Sequence, residues 1–333
     1  MAAISATAWS LLSAGDRVVI DRVLYGNSFA FYTRGLTRFG VSVEAADLTD
    51  PTDLERALLT APKFVYFETP ANPNLRLIDI AAVAAAAHAA GARVIVDNTF
   101  ATPVLQRPIE LGADLVVHSA TKFLGGHGDL LAGVVVGPAA DIAHIRGHGL
   151  RYLTGATMAP LTAFLLLKTL ELRVARHSSS AALVAETLEA HPAVERVHDP
   201  GLASSPFHPL ARRQMHGLGG LVACELRGGT EAGRRFMNRL APGTPGSQPG
   251  RRRNPGATPG NHDPRRLYRR GTPPPRHRRR ADPALDRPGD AGRYRRGPDP
   301  GTRRRGCPNK NRISKKVRPG ALPLDPARGQ WPP

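Results

Sequence analysis

The sequence predicts an α/β fold, a mostly parallel sheet flanked by helices, followed by an incomplete α+β domain. The first observation is that short apolar strands alternate with helical segments from residue 1 to residue 137. The second is that these strands are apolar on both faces, which is typical of parallel strands covered by helices on both sides. The third is that two of the strands end in charged residues, at the edge where open α/β sheets place their ligands.

The elements of this region follow in chain order. Strands are predicted at residues 17–20, 41–44, 63–67, 93–97, 115–117 and 131–136. Helices are predicted at residues 52–59 and 80–90, with a helical turn near Glu110. Helical connections of this kind let successive strands run in the same direction.

The region after residue 150 has a different pattern. A long helical stretch is predicted at residues 158–191, with a break near Ser178–Ser180. Strands at 194–197 and 221–226 and helices at 209–216 and 230–240 indicate the start of a smaller α+β domain. The predicted domains are therefore an α/β domain at 1–150, a connecting helix with a partial domain at 151–240, and a tail at 241–333.

The tail carries nearly all of the chain's net charge of +19. Residues 1–240 hold 22 Lys and Arg against 21 Asp and Glu, whereas residues 241–333 hold 24 against 6. The tail also contains 19 of the 31 prolines and none of the 10 phenylalanines. Such a composition predicts a disordered basic tail. It leaves nonspecific nucleic-acid binding as an alternative function of another class, but the nearly neutral remainder predicts no specific nucleic-acid partner.

The sequence also indicates the cellular compartment of the protein. The chain has two cysteines, Cys224 and Cys307, which exclude a disulfide framework and favour a reducing compartment. No run of about 18 apolar residues exists, so no membrane-spanning helix is predicted. The first residues lack the basic segment of a secretory signal. The expected location is the cytoplasm.

Asp97 and Lys122 are the most informative candidate residues, because each follows an apolar strand. Their strand ends are expected at the same edge of the sheet. A carboxylate can keep a pyridine nitrogen protonated, and a lysine amine can form a covalent link to a carbonyl. The pair therefore suits pyridoxal phosphate, a cofactor that has a pyridine nitrogen at one end and a carbonyl group at the other. The alternatives are a helix cap or salt bridge for Asp97 and a solvated amine for Lys122.

Four further residues are candidates for the same site. Ser119 and Thr121 flank Ala120 where the strand at 115–117 is expected to continue to Lys122, so both hydroxyls would face one side and bind the phosphate; the alternative is simple strand filler. Tyr25 could stack on the cofactor ring or transfer protons, and is otherwise a core residue. Asn72 lies in a turn from which its amide could reach a cofactor oxygen or a substrate carboxylate; the alternative is an ordinary Asn-Pro turn. His127 has no second ligand nearby, so no metal site is predicted.

Three motifs resemble the Cys/Met-metabolism family of pyridoxal-phosphate enzymes, which have the type I fold of such enzymes. They are Phe67–Asn74, Val96–Pro103 and His118–Asp129, and the resemblance extends over about residues 1–240. It implies that Lys122 holds the cofactor and that Asp97 pairs with its ring nitrogen. It further implies roles for the remaining candidates: stacking by Tyr25, phosphate binding by Ser119 and Thr121, and a contact of Asn72 with cofactor or substrate.

The resemblance also implies an activity. The closest likeness is to members that eliminate a thiol from the γ-carbon of methionine or a related amino acid, giving an α-keto acid and ammonia. Asn27 occupies a position where the methionine-cleaving members usually carry a cysteine. Members that replace the γ-substituent of homoserine derivatives, the cystathionine synthases and the sulfhydrylases, are therefore the alternative. The resemblance further implies a homotetramer built from dimers that share their active sites.

Both ends of the chain depart from the family pattern. A Ser-Gly pair of the phosphate cradle and a Tyr-x-Arg segment would precede Met1, so an amino-terminal truncation is expected. Residues 251–264, back-translated and read one base later, are compatible with a motif of the family's carboxyl domain. We expect a one-base frameshift near Leu240, with loss of the arginine that binds the substrate carboxylate. An inactive remnant is therefore a further alternative.

Overall fold

The computed structural model of the protein describes residues 1–166 and 168–239. Two of the sequence predictions, the disordered basic tail and the frameshift, lie outside the described residues. Within the described residues, none of the helices combines the length and apolarity needed to span a membrane.

The main sheet has six strands in the order β2-β1-β3-β4-β5-β6. Its strands are β1 (Arg17–Asp21), β2 (Ser42–Ala46), β3 (Phe64–Glu68), β4 (Arg93–Asp97), β5 (Leu115–His118) and β6 (Val134–Val136). Strands β1 to β5 pair in parallel, and β6 is antiparallel to β5. The prediction of a mostly parallel sheet is confirmed, and the last strand is shorter than the predicted 131–136.

Helices cover both faces of this sheet. They are α1 (Ala2–Leu11), α2 (Gly26–Ala30), α3 (Pro51–Leu58), α4 (Ile80–Ala89), α5 (Thr102–Leu105) and α6 (Ala139–Ile145). Short π-helical segments at Phe31–Gly35 and Arg146–Thr154 and 3-10 turns at Leu36–Phe39 and Pro108–Leu111 complete the layers. The predicted helices α3 and α4 are confirmed, whereas α1, α2, α5 and α6 were not predicted.

Local sequence explains where the two predicted helices begin and end. Asp50 precedes α3 and accepts a hydrogen bond from the backbone N–H of Thr52, and Pro51 supplies a first helical residue that needs no donor. Asp79 caps α4 in the same way. Gly91 adopts a φ of 73° just after α4, a left-handed conformation that favours glycine.

The two faces of the sheet form two apolar cores. One core joins the face that includes Val65 and Val96 to α3 and α4. The other joins the face that includes Ile20 and Ile95 to α1 and the π-helical segment at residues 31–35. Because side chains alternate along a strand, Tyr66, Glu68 and Asp97 point to this second face.

The remaining described residues form α7 (Pro160–Leu165), α8 (Leu170–Glu189), β7 (Val194–His198), α9 (His208–Gln214), β8 (Ala223–Leu226) and α10 (Gly229–Arg239). Strands β7 and β8 form a separate antiparallel pair. The predicted helix break near Ser178 is wrong, because α8 is continuous there and Ser179 donates its hydroxyl to the carbonyl of Arg176. The helices separate earlier, where Thr169 has a φ of 58°. The domain boundaries at residues 150 and 240 stay predictions.

Candidate active site

The carboxyl ends of β3, β4 and β5 form one polar edge of the sheet. Glu68 on β3 is paired in register with Asp97 on β4, and Asp97 is paired with Val117 on β5. A cleft with an empty volume of about 600 Å³, including the solvent at its mouth, opens at this edge. Five of the six candidate residues line it: Tyr25, Asn72, Asp97, Ser119 and Lys122.

Asp97 is buried at the polar edge, with 8% of its surface exposed. One carboxylate oxygen accepts hydrogen bonds from the hydroxyl and the N–H of Thr99, and the other accepts the hydroxyl of Tyr66 at 3.2 Å. Burial raises the pKa of Asp97, while the hydrogen bonds from Thr99 and Tyr66 oppose that rise. A buried carboxylate of this kind favours a positively charged partner.

Thr99 and Tyr66 are functional candidates that the sequence analysis missed. The hydroxyl of Thr99 donates to Asp97 and accepts the N–H of Ser119 at 2.8 Å, so it links two candidate residues. Tyr66 is fully buried beneath Asp97. The run Asp97-Asn-Thr99 is a signal for the first contact, since Asp accepts bonds from the residue two positions on. The contact of Tyr66 depends on strand pairing and has no local signal.

Lys122 lies in a turn rather than on a strand. Strand β5 ends at His118, and the N–H of Lys122 donates to the carbonyl of Ser119 at 3.0 Å. The expectation that Ser119 and Thr121 alternate along a strand is therefore wrong. The two hydroxyls therefore have different surroundings. Ser119 lines the cleft, whereas the Thr121 hydroxyl donates to the carbonyl of Ala132 and accepts its N–H.

Arg173 of α8 holds the turn that follows Lys122. Its guanidinium donates to the carbonyls of Phe123, at 2.7 Å, and Leu124, at 3.2 Å. Gly126 gives the guanidinium room, since an added Cβ would lie 1.9 Å from its Nη1, and the φ of Gly126 is 75°. The double glycine of the motif thus serves close packing at this turn.

We expect Arg173→Met to destabilise the protein by about 1–2 kcal/mol, because two partly buried carbonyls lose a charged donor. Equilibrium unfolding in urea measures this change in the free energy of unfolding. The matched control is Arg176→Met, a substitution of an exposed arginine on the same helix. Equal unfolding free energies for the two variants would contradict the holding role of Arg173.

Tyr25 and Asn72 approach the cleft from two different segments. Tyr25 precedes α2 and is half-buried, and its hydroxyl accepts a hydrogen bond from the side-chain amide of Asn27 at 2.9 Å. Asn72 is half-buried in the segment that follows β3. The backbone N–H of Tyr25 donates to the buried carboxylate of Glu68, and the backbone N–H of Asn72 lowers the pKa of that carboxyl. Glu68 is another residue that the sequence analysis missed.

The donor set of the cleft fits pyridoxal phosphate. It offers a buried carboxylate for a cationic ring nitrogen, an amine for a carbonyl carbon, an aromatic ring and a hydroxyl, on the walls of one cavity. The part of the chain that the structure describes holds no cluster of three or more His, Cys, Asp or Glu side chains suited to a metal ion. Together, the parallel sheet and the polar cleft at its carboxyl edge define an α/β cofactor-binding domain.

Comparison with known proteins identifies the family. The model of the family described as Cys/Met metabolism PLP-dependent enzyme matches residues 1–243. The L-methionine gamma-lyase of Pseudomonas putida is 53% identical over 243 residues, which are 72% of this chain and 61% of that protein. The O-succinylhomoserine sulfhydrylase of Pseudomonas aeruginosa is 43% identical over 241 residues, 72% of this chain and 59% of that protein.

Solved structures agree with this assignment. A cystathionine gamma synthase from Xanthomonas oryzae pv. oryzae in complex with cystathionine aligns with a TM-score of 0.72 and 39% sequence identity, covering 75% of this chain and 65% of that one. The chain belongs to the Cys/Met metabolism PLP-dependent enzyme family. The predicted family, fold class and cofactor, pyridoxal 5'-phosphate, are thereby confirmed. The chain spans about three fifths of the length of the curated relatives it matches.

Proposed function

We propose that the protein is a pyridoxal-phosphate-dependent carbon–sulfur lyase that acts at the γ-carbon of methionine or a related amino acid. The observation that carries this proposal is the placement of Asp97 and Lys122 on one cleft at the carboxyl edge of the sheet. The 53% identity to a methionine gamma-lyase supports the choice of reaction. The net reaction consumes water and gives an α-keto acid, ammonia and a thiol.

The residues of the cleft have different roles in this reaction. Bound pyridoxal phosphate supplies an electron sink for the carbanion at the substrate's Cα. The Asp97 carboxylate holds a positive charge on the ring nitrogen, and Thr99 and Tyr66 fix its two oxygens. The Lys122 Nζ holds the cofactor before the substrate arrives and then carries the proton between substrate carbons.

The other candidates orient the two bound molecules. Tyr25 would stack on the cofactor ring and offer its hydroxyl for proton transfer to the leaving thiol. Ser119 binds the phosphate, and Asn72 binds a cofactor oxygen or the substrate carboxylate. Thr121 contributes to the phosphate site only if its hydroxyl leaves Ala132, to which it is bonded. We further propose a cytoplasmic homotetramer built from dimers that share their sites, as the family resemblance implies.

A substrate panel on the full chain tests the reaction. The chain, reconstituted with pyridoxal phosphate, is offered methionine, cystathionine and an O-acylhomoserine, with and without an added thiol. We expect α-keto acid and ammonia from methionine without added thiol. A product that appears only from the O-acylhomoserine and the thiol would replace elimination by γ-replacement, and cofactor binding without any product would favour the inactive remnant.

γ-Replacement is the second candidate, and Asn27 favours it. Asn27 is exposed, and its amide donates to the Tyr25 hydroxyl, so it occupies an acceptor lone pair of the group that would deliver a proton. A cysteine is a weaker donor and would leave that oxygen less constrained. We propose that this position influences the choice between the two reactions through its effect on Tyr25.

We expect Asn27→Cys to raise the ratio of methionine elimination to γ-replacement by about two- to tenfold, the worth of one hydrogen bond. The ratio of kcat/KM for methionine to that for an O-acylhomoserine with thiol measures it. The matched control is Asn27→Ala, which removes the amide without adding a thiol. An equal ratio in Asn27→Cys and the unsubstituted protein would show that this position does not select the reaction.

A further inference from the structure

Glu68 connects the two segments that bring Tyr25 and Asn72 to the cleft. It is the last residue of β3 and is 6% exposed. Each of its carboxylate oxygens lies 3.0 Å from the backbone nitrogen of Tyr25, and the backbone N–H of Asn72 favours the charged form of the same carboxyl by lowering its pKa. Tyr25 follows β1 and Asn72 follows β3, so one side chain ties two strand ends together.

The cost of burying Glu68 indicates that its carboxylate has a purpose beyond packing. Burial raises the pKa of Glu68 well above its usual value, and the charge of Asp97, its partner in strand register, adds to that rise. Two buried carboxylates side by side destabilise a domain unless positive charges compensate them. A leucine would fill this volume without such a cost, but it could not accept the two N–H groups.

By restraining the backbone of Tyr25, Glu68 also restrains the position of the Tyr25 side chain. A tyrosine has two rotatable side-chain bonds, so the position of its ring follows its backbone closely. Misplacing a group in an active site by about 1 Å can cost about a hundredfold in rate. A carboxylate that fixes the nitrogen of Tyr25 within hydrogen-bond distance therefore sets where the ring lies at the cleft.

We propose that Glu68 is a positioning residue, which fixes the Tyr25 ring and the Asn72 amide against the bound cofactor through their backbone N–H groups. This inference rests on the proposed function for the identity of the cofactor. It concerns how the cofactor is held, and its tests measure binding rather than turnover.

The first test measures amide hydrogen exchange in the cofactor-free full chain. Glu68→Gln keeps the size of the side chain, but its NH₂ group cannot accept a hydrogen bond. We expect exchange about tenfold faster in peptides that contain Tyr25 and Asn72, since loss of about 1.4 kcal/mol of protection is a factor of ten. The matched control is Glu110→Gln, a change of an exposed carboxylate. Unchanged exchange in both peptides overturns the proposal.

The second test measures cofactor affinity and the visible circular dichroism of the bound cofactor. We expect Glu68→Gln to weaken pyridoxal phosphate binding by about 5- to 100-fold and to change the dichroic band. In a Tyr25→Ala background the same substitution should weaken binding less, because its effect passes partly through Tyr25. Faster exchange with unchanged affinity and dichroism would leave Glu68 a purely structural role and overturn the proposal.

The outcomes separate this inference from the proposed function. A chain that binds the cofactor but converts none of the amino acids contradicts the proposed reaction and leaves both tests of Glu68 readable. An unsubstituted chain that binds no cofactor overturns both. Where Glu68→Gln fails to fold, Glu68→Asp keeps the charge with a shorter reach and should show a smaller change in the same direction. An affinity equal to that of the unsubstituted protein would contradict the role.

Discussion

Lys122→Ala is expected to abolish the visible absorbance of lysine-linked pyridoxal phosphate and to lower turnover by at least about 10²-fold. Alanine removes both the covalent anchor of the cofactor and the base that moves the Cα proton. Absorbance of the reconstituted chain measures the first effect, and release of α-keto acid measures the second. Borohydride treatment of the unsubstituted chain should add the mass of the reduced cofactor to the peptide that contains Lys122.

The control for this prediction is a lysine at the amino ends of the strands, on the opposite side of the sheet from the polar edge. Lys63 is exposed and immediately precedes β3 at its amino end, so Lys63→Ala removes an equal charge far from the polar edge. It should keep the absorbance band and the labelled peptide. A band of full strength in Lys122→Ala, or a label on another lysine, would place the cofactor anchor elsewhere.

The sequence was sufficient for the residues whose position follows from a strand end. Asp97 and Lys122 each follow an apolar strand, and parallel strands bring their carboxyl ends to one edge. Glu68, Tyr66 and Thr99 share that edge, but their contacts depend on which strand lies beside which and in what register. A single sequence does not reveal the register between β3 and β4, so the carboxylate pair could not be predicted.

The errors have a similar origin in local backbone geometry. Thr121 was expected to face the phosphate because the strand was predicted to continue, but the chain turns after His118 and the hydroxyl pairs with the backbone of Ala132. Three consecutive serines predicted a helix break, yet such a hydroxyl can bond to a carbonyl of the preceding turn and remain helical. The observed break requires a left-handed backbone conformation at Thr169. A threonine rarely adopts this conformation, so the sequence does not predict it.

Asp97→Asn should separate cofactor binding from catalysis. We expect cofactor attached through Lys122 to be retained and the catalysed reaction to slow by about 10²–10³-fold, the effect of removing one preorganised electrostatic partner. Asparagine keeps an oxygen for the N–H of Thr99 but cannot hold a positive charge on the ring nitrogen. Exchange of the substrate's Cα proton in D₂O, followed by NMR, measures the step that depends on this charge, whether or not elimination follows.

A matched substitution and a cofactor analogue make this prediction specific to charge. Asp141→Asn removes a carboxylate that pairs with Arg93 at the amino end of the same strand, and it should exchange the Cα proton at the unsubstituted rate. Pyridoxal phosphate methylated at the ring nitrogen carries a fixed positive charge, so it should restore part of the exchange in Asp97→Asn. Exchange that is equally slow with both cofactors would show that Asp97 acts through the geometry it shares with Thr99 and Tyr66, and not through the charge it stabilises.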